Sequence, residues 1–331
     1  MLKGLSCLLV AVWLLYQPAD ANAAVLRYCD RQPPPTAAQQ DILLRFASVI
    51  KNELENSGQS LALIARSGLD LTRFGMRYSH AGISLKLSAN APWSVRQLYY
   101  ECEEDRPKIF DQGISGFLLG TSDPSIGYIS LLFLPQDRSG PLEQAALDNR
   151  QALRLLGSIY SANAYPFAQR YQNCNQWVIE MIAATWGRLL EHDTDTGNGN
   201  DTGKGNGTGK GNGTGIGATS AGTSLRVHAQ AWLQSHAYAP AVFDVGNRLL
   251  MWLGSMIPWV HSDDHPSPDL EQAIYRVSMP ASIELFVRAQ VPDASRVELC
   301  HTDRFVVIRR GWQPIAAGCE PAPQDTVIRF D

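Results

Sequence analysis

The chain reads as an α+β protein built around a small antiparallel sheet. Three observations predict this. Residues 77–134 alternate apolar and polar side chains with period two, while residues 37–55, 141–158 and 173–190 carry apolar side chains at helical spacing. Mixed strand and helix patterns then resume beyond a glycine-rich stretch, as an α/β C-terminal extension packed on the first part. The length of 331 residues, with 45% hydrophobic and 18% charged residues, is that of an ordinary globular chain. A formal net charge of −4 offers no basic excess, which argues against nucleic acid as a partner.

The N-terminus predicts export. Lys3 supplies a basic start, residues 5–16 an apolar stretch, and Ala21-Asn22-Ala23 a small-residue cleavage motif. Residues 1–23 are therefore expected to be a signal peptide, and the mature chain to be periplasmic or secreted, with no integral membrane span after signal removal. Cys7 would leave with the signal. Cys29, Cys102, Cys174, Cys300 and Cys319 remain, an odd number for an oxidising compartment. Cys300 and Cys319 flank an apparent strand pair that they could staple, and Cys29 and Cys102 could pin the N-terminal arm. Cys174 would then be the free thiol.

Along the chain, Pro33-Pro34-Pro35 is an extended lead-in and Thr36 a cap for a helix to Glu55. Residues 60–68 form a short apolar segment. Ile83, Leu85 and Leu87 mark one strand, residues 93–101 a second, and residues 127–135 a third and more buried one. Two helices follow, the second opening at Asn173-Cys174. The first domain is thus expected over residues 24–191. Residues 192–223 are dominated by Gly, Asn, Thr and Lys, with Thr-Gly-Lys-Gly-Asn-Gly repeated from Thr202 and Thr208. No core can form from such a stretch, so it reads as a linker. Residues 224–331 form the extension: a helix from Leu225, a strongly apolar stretch over 242–260 read as a helix buried against the first half, with an exposed surface for a membrane or partner as the alternative, and strands over 282–288, 304–310 and 326–330.

Two motifs carry chemistry. Arg77-Tyr78-Ser79-His80-Ala81-Gly82 places a histidine at the mouth of a strand, with Gly82 leaving room above it. Tyr171-Gln172-Asn173-Cys174-Asn175-Gln176-Trp177 sets a cysteine on the first turn of a helix, where unpaired backbone N–H groups favour a thiolate or an oxyanion. A thiol nucleophile needs a base and a third group to orient it. Cys174 and His80 are the candidate pair, and Gln97 or Glu101, on one face of the neighbouring strand, the candidate orienting residue. Tyr78, Asn173, Asn175 and Tyr165 are the candidate substrate-binding residues. The plainer readings are a cysteine acting as a small buried hydrophobe and a structural histidine. His261-Ser262-Asp263-Asp264-His265 groups ligand-type side chains, yet reads as a solvated turn. No metal or cofactor is expected.

Tyr78-Ser79-His80-Ala81-Gly82-Ile83 resembles the histidine strand of the circularly permuted NlpC-type papain-like hydrolases, the branch that includes the lecithin retinol acyltransferase-like proteins. Asn173-Cys174-Asn175-Gln176-Trp177-Val178 is similar to the cysteine motif of that branch, with Asn175 where a small hydroxyl residue is usual. The likeness covers residues 76–187. The whole chain also resembles the bacterial domain of unknown function 2145 family, with shared stretches at Met279-Pro280-Ala281-Ser282-Ile283-Glu284 and Arg310-Gly311-Trp312-Gln313-Pro314-Ile315. The resemblance implies a permuted papain-like core with Cys174 as nucleophile and His80 as base. It implies a hydrolase of amide or ester bonds, with a cell-envelope substrate such as a peptidoglycan peptide or an acyl group. The alternative is an inactive envelope binding module of the same fold.

Overall fold

Apolar strand Leu61–Arg66 (β1) is buried at every position, and this sets the architecture. A computed structural model describes residues 35–101, 104, 106–121, 123–191 and 218–330. The expected signal peptide, the Cys29–Cys102 pairing and linker residues 192–217 lie outside the described residues. Ala218–Thr223, expected to be linker, open a helix instead.

β1 lies inside an eight-stranded sheet. To one side run β2 (His80–Leu85), β3 (Ser94–Glu101) and β4 (Arg106–Gln112). To the other run β5 (Gly127–Phe133), β8 (Ser295–His301), β9 (Phe305–Arg310) and β10 (Thr326–Arg329). Every neighbouring pair is antiparallel. The fold is thus mixed α+β, but the sheet is not small. The C-terminal strands do not pack against it; they hydrogen-bond into it, β8 pairing with β5 from Gly127↔His301 to Phe133↔Ser295. Cys300 and Cys319 form the expected disulfide, their Cα atoms 5.8 Å apart.

Helices cover both faces. On one, α1 (Ala37–Asn56), started by a Thr36–Gln39 capping box, and α2 (Ile114–Leu118) bury Phe46, Ile50 and Phe117 against Ile64, Val95 and Ile129. The other face carries α3 (Gln136–Leu147), α4 (Asn149–Arg154), α5 (Cys174–Trp186), α6 (Ala218–Ser235) and α9 (Pro280–Gln290). There Leu63, Ile83 and Leu98 meet Trp177, Val178 and Met181. The expected single helix over 141–158 is two, because Asp148 leaves the helical conformation and its side chain caps α4. α5 is buried from Cys174 to Thr185. Glu180 within it is fully buried, and accepts hydrogen bonds from Arg226, Gln172, Gln176 and Gln230 at 2.6–3.2 Å.

Two expectations in the extension are corrected. Residues 282–288 belong to helix α9, because Pro280 starts it and Ile283, Phe286 and Val287 share a face at helical spacing. Residues 242–260 are not a buried helix. They form strand β6 (Ala241–Asp244), which pairs with β7 (Ile274–Val277), and the short helix α7 (Arg248–Gly254), in which only Met251 is buried. Helix α8 (Ser267–Glu271) precedes β7. No helix among the described residues is long and apolar enough to cross a membrane.

Candidate functional site

The site is built where β2 and β3 part. Their pairing runs from Leu85↔Ser94 to Ile83↔Arg96. Beyond Ile83 the head of α5 meets β2 instead. Asn173 caps that helix, its Oδ1 accepting from Gln176 N at 2.7 Å, while its Nδ2 donates to Ala162 O and Ser278 O. Cys174 is the first helical residue. Asn175 fills the gap: its Oδ1 accepts from Ala81 N at 2.8 Å, and its Nδ2 donates to Ser79 O at 3.2 Å. One buried side chain therefore ties the cysteine helix to the backbone on either side of His80.

His80 opens β2 and is 6% exposed. Gln97 donates its Nε2–H to Gln112 Oε1 at 2.8 Å, so its Oε1 accepts from His80 Nε2. That leaves His80 Nδ1 as the basic nitrogen. Of the two candidate orienting residues, Gln97 is on the imidazole. Glu101 lies at the far end of β3, opposite Arg106 and 3.9 Å from Lys108 Nζ. Burial pushes the His80 imidazole down to about 3, the Arg66 guanidinium adds to this, and the Gln97 bond opposes it.

Cys174 is 8% exposed and is the free cysteine among the described residues. Burial pushes its thiol up to about 12; the Arg66 charge and the backbone N–H groups of Asn175, Cys174 and Ala81 pull the other way. The resting site thus holds a protonated thiol and a neutral imidazole. Strand parity separates them. His80 shares the α2 face with its partner Arg66 and with Phe117, whose ring centroid is 5.8 Å from its own, whereas Cys174 packs in the α5 layer with Ala81. No hydrogen bond joins Sγ to the imidazole among the described residues. Nor does Gly82 leave a space: a Cβ there would lie 2.4 Å from Val95 Cγ1. Its role is close strand packing.

The remaining candidates scatter. Tyr78 is buried and donates to Glu298 Oε1, in a network with Arg77, Arg296 and Ile315 N. Tyr165 N donates to Asp264 Oδ2 at 2.8 Å. That contact is part of a clamp in which Asn163 Nδ2 donates to His261 O, and Asn163 O accepts from His265 Nε2 at 2.7 Å. The His261–His265 segment is therefore not a solvated turn, since His265 is buried. No group of three or more His, Cys, Asp or Glu side chains suited to a metal occurs among the described residues.

Sequence reasoning missed Arg66. It ends the apolar run Leu61-Ala62-Leu63-Ile64-Ala65, pairs with His80 across β1 and β2, and its charge acts on both His80 and Cys174. A single charge closing an apolar strand was the available signal.

A family model described as an uncharacterised protein conserved in bacteria, DUF2145, matches residues 53–287, a span that contains His80, Gln97 and Cys174. No curated protein and no solved structure matches the chain.

Proposed function

The chain belongs to the DUF2145 family, and on that footing we propose that it is a cell-envelope cysteine hydrolase of the permuted papain-like type, acting on amide or ester bonds. The observation that carries this reading is the setting of Cys174. Its thiol stands at the head of a capped helix, against the N–H groups of Asn175 and Ala81 and within the field of Arg66. A cysteine that only fills space needs no such surroundings.

In this reading Cys174 Sγ attacks the carbonyl carbon while His80 Nδ1 takes the thiol proton. Backbone N–H groups at the head of α5 hold the oxyanion. His80 then returns the proton to the leaving amine or alcohol, and water releases the acyl group from sulfur. Gln97 keeps the imidazole in the tautomer this requires. The chemistry demands a rearranged form, because in the closed one both groups are neutral and face opposite sides of β2. The residue that must turn is His80, at the first position of β2 and beyond its pairing with β3, so that the imidazole reaches the face that carries Cys174.

A second reading is a binding module of the same fold without catalysis. The burial of Cys174, with Phe167 packed on the same apolar cluster, favours it. Turnover separates the two. Mature protein is assayed with activated acyl esters and peptidoglycan peptide amides, alongside Cys174→Ser and His80→Gln. The hydrolase reading expects release of the acyl-derived product, reduced by on the order of 100-fold or more in either variant. Equal turnover in all three proteins, or none in any while peptidoglycan is retained by Cys174→Ser, assigns the binding module instead.

A further inference from the structure

Helix α7 is built the wrong way round for a soluble surface. Leu249, Leu250, Trp252, Leu253 and Met256 are 45–65% exposed, and Met251 alone in the helix turns into the cluster beneath, with Tyr275 and Val277. At helical spacing Leu249, Leu250, Trp252 and Leu253 cover an arc of about 160° opposite Met251, and Met256 extends it from the turn that follows the helix. Scattered exposed apolar residues are ordinary, but a contiguous face of five large ones marks an interaction surface.

Charge identifies what the face meets. From Leu249 to Val260 there is no charged residue. Two cations stand at the base of the helix. Arg248 opens it, and Arg73 reaches it by donating to Val245 O at 3.4 Å. Both are exposed, and neither has a carboxylate partner among the described residues. Of the acids near the segment, Asp70 and Asp244 are exposed and bonded within their own turns, while Asp263 meets a cation. Asp244 Oδ1 accepts from Gly246 N, and Asp263 pairs with Arg170 at 2.6 Å. A convex apolar face with an indole on it, and at its base two exposed arginines held in no ion pair among the described residues, matches an anionic bilayer. Leucine and methionine side chains enter the acyl boundary, Trp252 sits at headgroup depth, and the guanidinium groups meet phosphate.

The face is also firmly mounted. The chain continues from α7 into Trp259 and His261, whose carbonyl oxygens accept from Ala162 N at 2.8 Å and Asn163 Nδ2 at 2.7 Å. We infer that α7 and its flanking arginines form a docking surface for an anionic phospholipid bilayer. The inference is independent of whether Cys174 is catalytic.

The test is co-sedimentation of the mature protein with phosphatidylcholine vesicles, with and without phosphatidylglycerol, at low and high salt. Wild type is expected to sediment with the anionic vesicles. The double variant Leu250→Asp/Leu253→Asp should bind them at least roughly tenfold more weakly. Arg73→Gln/Arg248→Gln should lose the salt-sensitive part of the binding. Because the altered side chains are exposed, far-ultraviolet circular dichroism should match wild type in both variants. Quenching of Trp252 by brominated lipid, absent in Trp252→Phe, places the indole in the interface. Failure of wild type to bind either vesicle overturns the inference, as does unchanged binding by the Asp variant. Self-association that the Asp variant abolishes, in a protein that ignores vesicles, overturns it too and makes the face a contact between copies.

Discussion

Replacing Asn175 with alanine should loosen the junction on which the candidate site rests. Asn175 is 2% exposed and makes three hydrogen bonds, from Ala81 N at 2.8 Å, to Ser79 O at 3.2 Å and a weak one to Met279 Sδ at 3.7 Å. In Asn175→Ala the Ala81 N–H stays buried without that acceptor, at about 1–3 kcal/mol. Ser79 is only half-buried, so its carbonyl can recruit water and adds about 1 kcal/mol or less. The expected loss is therefore about 2–4 kcal/mol. Asn175→Ser, which installs the small hydroxyl residue of the resembling motif, should lose nearly as much because serine is too short to span both groups. Asn90→Ala is the control. Asn90 donates to Ser94 Oγ and Asp111 O at 3.2 Å, but on the exposed surface, so its loss should stay below about 1 kcal/mol. Urea unfolding followed by tryptophan fluorescence measures all three. If Asn175→Ala falls within about 0.5 kcal/mol of wild type, or costs no more than Asn90→Ala, the junction is not held as described.

Other perturbations follow from the same geometry. His80 and His301 have imidazoles pushed down from 6.5 to about 3 and about 4 by burial, so the unfolded chain binds more protons than the folded one in that range. The stability they contribute is complete above pH 6.5 and is lost as pH falls toward the folded values. His80→Gln should flatten this acid limb by up to about 1.4 kcal/mol per pH unit, read from urea midpoints across the window. Arg226→Met strips buried Glu180 of its counter-charge and should cost about 3–5 kcal/mol, with Arg226→Lys costing less, both seen in thermal unfolding. Reduction of Cys300–Cys319, 19 residues apart in sequence, should lower stability by about 3 kcal/mol, measured as a shift in urea midpoint with reductant.

What the sequence made legible was local. Alternation around Ile83 and Leu85, the Thr36 cap and the Asn173-Cys174 helix start depend on neighbours in the chain, and each stands where its pattern puts it. Ile283, Leu285 and Val287 also alternate, which mimics a strand; Leu285 is 67% exposed, and Phe286 supplies the helical face instead. The choice between Gln97 and Glu101 needed the β2–β3 register, and the role of Arg66 needed β1 to lie beside β2. Non-local pairing also decides that β8 joins β5, because the alternation of Arg296, Val297, Glu298 and Leu299 marks a strand but not its neighbour. The apolar run from Leu249 misled for a different reason. Hydrophobicity marks where a side chain belongs, and here the covering surface is not part of the described fold.

The central claim is that Cys174 and His80 act as one thiol site once the start of β2 turns the imidazole toward the head of α5. Its most direct test is the rate of Cys174 alkylation in native protein as a function of pH, in wild type and His80→Ala, with modified sites read by mass spectrometry. That turn sets an imidazole beside a thiol that already stands against the N–H groups of a helix start. The predicted result is slow labelling of Cys174 in the folded protein, with an inflection below about 8.5 that moves upward in His80→Ala. Labelling that appears only when urea unfolds the chain, or a pH profile that His80→Ala leaves in place, would contradict the claim and leave Cys174 a buried structural residue.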